Sequence, residues 1–103
     1  MHNEFNSYRI YYQTTPRYNW QARVYLYNDR EFAGAIYFMK DGNCLPGNTV
    51  HSGCPRLHFH ASKFNDIMNM MRHESPLYIS LVPENGIGTL STTDEPIGEE
   101  EDE

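Results

Sequence analysis

NWQARVYLYNDREFAGAIYFMK, residues 19–40, decides the fold. On either side of a short polar break, side chains alternate with a period of two. That period marks a strand, because successive Cβ atoms point to opposite faces of a sheet. Trp20, Ala22, Val24 and Leu26 share one face, and Gln21, Arg23, Tyr25 and Tyr27 share the other. Asn28-Asp29-Arg30-Glu31 reads as a four-residue hairpin turn built on a type I turn. On the return strand Phe32, Gly34, Ile36 and Phe38 face one way, and Ala33, Ala35, Tyr37 and Met39 the other. A β-hairpin is the only regular structure that satisfies both halves.

The flanking sequence extends this hairpin into a sheet. Residues 5–13, FNSYRIYYQ, put Tyr8, Ile10 and Tyr12 on one face and Arg9, Tyr11 and Gln13 on the other. Pro16 closes that run. On the far side, Asp41-Gly42 starts a long polar segment to Pro55, of a length uncommon in compact domains. Residues 56–61, RLHFHA, resume alternation, with Leu57 and Phe59 opposed to Arg56, His58 and His60. Ser62 is a suitable helix N-cap. Phe64, Ile67, Met68 and Met71 then recur at helical spacing, against a polar face of Lys63, Asp66, Asn69 and Arg72. Pro76 ends the helix near Glu74, since it disfavours helical geometry at Ser75. LYISLV at 77–82, PENG at 83–86 and residues 87–92 form a final hairpin.

The expected class is α+β: a mostly antiparallel sheet with one amphipathic helix on one face, in the order ββββαββ. Residues 1–93 make one domain, and 94–103 an acidic tail expected to be disordered. Over residues 5–74 this order of four strands and a helix resembles the unit of purine-rich-element-binding and Whirly-type nucleic-acid binders. The likeness is one of element order and carries no site residues.

Composition agrees. The length of 103 residues suits one domain, and eight tyrosines within 14% aromatic residues favour a pleated surface. The net charge of −6 is concentrated: DEPIGEEEDE, 94–103, holds seven of the fourteen acids. The remainder is close to neutral, so the acidic total does not exclude a nucleic-acid partner. Met1-His2-Asn3-Glu4 lacks the basic and apolar runs of a leader, and Phe32 to Met39 is too short to span a bilayer. A cytoplasmic location without membrane attachment is expected, where cysteines stay reduced.

One helix covers one sheet face. The other face presents Arg9, Tyr11, Arg23, Tyr25, Tyr27, Tyr37, Met39, Arg56, His58 and His60. Tyrosine and arginine are enriched where proteins meet partners. The leading expectation is a small non-enzymatic binding domain that forms a homodimer through this face, with the loop at 41–55 contributing. Another protein would also fit there. A single-stranded nucleic-acid platform is the alternative, since bases stack on rings while arginine tracks phosphate. A plain solvated outer face is the third reading.

NCLPGNTVHSGCPRLHFH, 43–60, holds both cysteines and three of the five histidines. Cys44, His51 and Cys54 with His58 or His60 have the donor types for tetrahedral zinc, a second alternative. Paired C-x-x-C knuckles are absent, which weakens it. A Cys44–Cys54 disulfide is a further option. No nucleophile elbow, phosphate-cradling loop or H-E-x-x-H occurs, so no catalytic residues, enzymatic activity or cofactor are expected.

Overall fold

A computed structural model describes residues 1–42 and 44–92. The strands are β1 (His2–Phe5), β2 (Ser7–Tyr12), β3 (Trp20–Asn28), β4 (Glu31–Met39), β5 (Thr49–His51), β6 (Cys54–His60), β7 (Leu77–Val82) and β8 (Ile87–Thr92). A 3-10 turn at Ala61–Lys63 leads into the single helix α1 (Phe64–His73). The four long strands, helix and final hairpin read from sequence are present. Two short strands, β1 and β5, join them. The class is α+β and the sheets are largely antiparallel, with only β4 and β6 paired in parallel among the described strands.

The strands form two sheets. One has five strands in the order β2-β3-β4-β6-β5, the other three in the order β1-β7-β8. A shared core joins them. Val24, Leu26, Ile36, Phe38 and Leu57 from the large sheet meet Phe5, Leu77 and Ile79 from the small one, with Met68 and Met71 of α1. The small sheet and the helix therefore cover the same face. Each large side chain buried here contributes about 1.5–3 kcal/mol.

Two bulges in the β3–β4 pairing change which residues share a face. Trp20 opposes Met39 while Ala22 opposes Phe38, so Gln21 is the extra residue. Leu26 opposes Gly34 while Tyr27 opposes Phe32, so Ala33 is the extra residue. A bulge sends two neighbours to one side. Trp20 and Phe32 thus leave the core face expected for them and pack against Ala35, Tyr37 and Met39 on the second face. Ala33 moves the other way, into the core.

Two turns also differ from expectation. Asn28 pairs with Glu31, leaving a two-residue loop of Asp29 and Arg30 with φ of 50° and 75°. That is the primed geometry whose twist matches a hairpin, rather than a type I turn. At the helix, Ser62 is not the cap. The entry is a 3-10 turn without a side-chain cap, and the Ser62 N–H donates to the Asp41 carboxylate at 3.3 Å.

The long polar segment is the crossover that the parallel β4–β6 pair requires, since such neighbours cannot be joined by a tight turn. It returns along the sheet and ends in β5, which turns through Ser52-Gly53 into β6. Asn48 anchors it. Its carbonyl oxygen accepts the His58 N–H at 2.9 Å, and its amide donates to the Gly86 carbonyl at 2.9 Å. The expected tail, 94–103, lies outside the described residues. Among the described residues no helix is long and apolar enough to cross a membrane.

Gly34 sets the distance between the sheets. A Cβ there would lie 2.9 Å from Ile79 Cδ1 and 3.0 Å from the Pro55 carbonyl oxygen. Gly34→Val is expected to destabilise by about 1–3 kcal/mol through overpacking, read from the urea midpoint. An unchanged midpoint would mean that the sheets part without cost. Arg30→Gly is expected to stabilise by roughly 0.5–1 kcal/mol, since glycine takes a positive φ freely. A lower melting temperature would refute the turn geometry.

Candidate functional site

The antiparallel and parallel registers together line up side chains across the second face of the five-stranded sheet. One row runs Tyr11, Arg23, Tyr37, His58 across β2, β3, β4 and β6. The next runs Arg9, Tyr25, Ala35, Arg56, Thr49, ending on β5. A third runs Trp20, Met39, His60. Ala35, at 0% exposure, is the floor over which the larger side chains close.

Rings and guanidinium groups interleave on this face. Arg23 Cζ sits 5.0 Å from the Tyr11 and Trp20 ring centres and 5.2 Å from that of Tyr25. Arg56 Cζ sits 4.2 Å above Tyr37. Tyr11 meets Tyr25 edge-on at 5.5 Å, and Trp20 meets Tyr37 edge-on at 6.0 Å. Each such cation–ring contact contributes about 0.5–1 kcal/mol when exposed and more when dry. Arg9 is exposed on β2, and the neighbouring Tyr11 raises its pKa.

Hydroxyl groups link the rows. Tyr25 and Tyr37 interact through their hydroxyl groups, and Arg23 acts on that of Tyr37. Burial pushes the Tyr37 hydroxyl up, but these interactions and the charges of Arg56 and Arg23 outweigh it and hold it below the usual tyrosine value. Burial raises Tyr25, as does its interaction with Tyr37. Burial, then the Arg56 charge, lowers His58 below the usual histidine value. The Gly47 backbone pulls weakly the other way, though no hydrogen bond of good geometry reaches Nδ1.

Charge is segregated. Among the described residues the three registered arginines have no acid beside them on this face. The acids of the described residues sit on β1 (Glu4), the β3–β4 turn (Asp29, Glu31), the crossover (Asp41), the helix and its end (Asp66, Glu74), and the β7–β8 turn (Glu84). Nε of Arg23 and Nε of Arg56 are buried, with no hydrogen-bond partner among the described residues.

The crossover walls one end of the face. Between Pro46 and Gly47 on one side and Trp20, Tyr37, Met39, Arg56 and His58 on the other lies an open cleft of about 400 Å³. That is within the range of small-ligand sites.

All nine residues read as binding positions, Arg9, Tyr11, Arg23, Tyr25, Tyr27, Tyr37, Arg56, His58 and His60, share this face by register. Tyr37 and His58 are buried in it rather than displayed. Trp20, Phe32 and His51 join them and were not anticipated there. Phe32 packs on Tyr25 at 5.5 Å, and His51 on Phe32 at 5.6 Å. Gly34 was the available signal for the second bulge, since glycine inside a strand marks bulges and close approaches. Nothing in the sequence marked the bulge at Gln21.

The proposed zinc ligands do not converge. Among the described residues no group of three or more His, Cys, Asp or Glu side chains is placed to hold a metal. Cys44 is exposed, and Cys54 donates its thiol to the Phe32 carbonyl at 3.3 Å. His51 and His58 pack on rings instead, His58 at 5.8 Å from Tyr37. Both thiols are free, so no Cys44–Cys54 bridge is present.

The lowered His58 pKa fixes the sign of one pH effect. The unfolded chain takes up this proton near the ordinary value of about 6.5, while the folded chain resists it. Its contribution to stability is complete above that pH and is lost as pH falls toward the lowered value. The melting temperature should therefore drop less between pH 7.5 and pH 5.5 in His58→Gln than in the wild type. Equal drops would remove His58 from the response. No family model, no curated protein and no solved structure matches the chain, so the functional reading rests on this geometry.

Proposed function

We propose that the second face of the five-stranded sheet binds single-stranded nucleic acid, without catalysis. The observation that carries this is the set of three arginines interleaved with aromatic rings on a face whose registered positions hold no acid. Bases stack on such rings at about 1–3 kcal/mol each, and guanidinium groups take the phosphates. An anionic, ring-bearing strand matches both halves of the surface.

A homodimer through the same face is the second reading, favoured by the extent of half-buried aromatic area there. A two-fold axis sets a surface against itself. It would bring the three arginines of one copy toward those of the other, on faces whose registered positions hold no acid. The charge pattern therefore ranks this arrangement below an anionic partner. Two free thiols accord with a reducing, cytoplasmic location.

Fluorescence anisotropy with a short labelled oligonucleotide tests the proposal. Binding at 50 mM salt should weaken steeply by 200 mM. Tyr25→Ala should weaken it by roughly fivefold to a hundredfold. Arg23→Ala should lower the salt slope, while Lys63→Ala, in the 3-10 turn before the helix, should leave both unchanged. Absence of binding by the wild type at low salt refutes the proposal. A doubled mass by light scattering that Arg23→Glu abolishes would then establish the dimer.

A further inference from the structure

We propose that the cleft beneath the crossover is a nucleobase pocket: one base of the bound strand leaves the open face and inserts between Trp20 and Pro46. This rests on the nucleic-acid reading of the face and names which part of the ligand the cleft takes. The open face needs only stacking rings and cations. The cleft has features that stacking does not use.

Its lining is aromatic and apolar at Trp20, Tyr37, Met39 and Pro46, with a volume of about 400 Å³, ample for a planar heterocycle. Two of the residues that line it carry a buried polar atom without a hydrogen-bond partner. Nε of Arg56 is buried with no hydrogen-bond partner, and so is Nδ1 of His58, whose residue is only 8% exposed. Buried polar groups in folded proteins are nearly always paired, and exceptions ask for a ligand or a water. Arginine Nε–H donates only, whereas an imidazole nitrogen donates or accepts according to tautomer. A nucleobase edge carries a donor beside an acceptor on a flat ring, and so satisfies both groups once the two side chains turn toward the cleft. A purely apolar ring would leave them unpaired.

The position of the phosphate follows from Arg23, whose guanidinium lies over Trp20 at 5.0 Å. A base inserted beside Trp20 puts its sugar-phosphate near that cation. Asn48, which ties the crossover to β6 and to Gly86, keeps the cleft formed before the ligand arrives.

Trp20 is the single tryptophan of the chain and lines the cleft, so its fluorescence reports occupancy. The full chain should show saturable quenching with nucleoside 5′-monophosphates and none with ribose 5-phosphate. His58→Leu should weaken the monophosphates at least fivefold. Arg56→Lys keeps the charge but removes the Nε–H, and should weaken them similarly if His58→Leu fails to fold. Oligonucleotide binding with no response of Trp20 to any monophosphate overturns the pocket and leaves the face reading intact. So does equal quenching by ribose 5-phosphate. Monophosphate binding without oligonucleotide binding keeps the pocket, as a free-nucleotide site, and overturns the strand reading. Failure of both ligands overturns both.

Discussion

β4 is hydrogen-bonded on one side to an antiparallel neighbour, β3, and on the other to a parallel one, β6. A parallel pair cannot be closed by a tight turn, so the chain must travel back the length of the strand before it can start again. Most crossovers do this as a helix packed on the sheet. Here the segment is rich in glycine, proline and asparagine, and its described residues form no regular structure until β5. It cannot bury its own backbone well, so it leans on the sheet through Asn48 and leaves a cleft beside Pro46 and Gly47. The cleft is thus a by-product of strand order.

The two faces of the large sheet solve different problems. The inner face is dry and is sealed by α1 and the small sheet. It depends on close approach: Gly34 lets Ile79 come down onto β4, and a Cβ at Gly88 would run into the Leu57 side chain. Among the described residues the outer face has no covering layer apart from the crossover. Arg23 and Arg56 lie against rings instead, and among the described residues no acid stands beside them on this face. A weakly hydrated guanidinium on an aromatic ring suits that arrangement better than a lysine ammonium would. A surface of this kind stays basic even though the chain as a whole carries a net charge of −6.

The bulges connect the faces. Each adds one residue to one strand and so exchanges the sides of everything beyond it. Without them Trp20 and Phe32 would be core residues, and the outer face would lose the ring against which Arg23 packs and the ring that meets Tyr25 edge-on. Local irregularity in one hairpin therefore enriches the candidate site and sharpens the twist of the sheet.

The sequence by itself determined the long strands, the helix and the final hairpin. Period-two alternation in 20–27 and 56–60 and the helical spacing of Phe64, Ile67, Met68 and Met71 are local signals, and local burial rewards them directly. It also determined the Tyr/Arg/His composition of the outer face, since alternation alone assigns Arg23, Tyr25, Arg56 and His58 to one side. Tertiary structure alone decided strand order, the parallel β4–β6 pair and the division into two sheets. Those depend on which distant strands share hydrogen bonds, and alternation is the same for any partner. It also decided the side taken by Trp20 and Phe32, because a bulge is set by the register of a pair. The cysteines and histidines of 43–60 looked gathered along the chain, but the crossover and hairpin spread them apart, since nearness in sequence does not fix where side chains point.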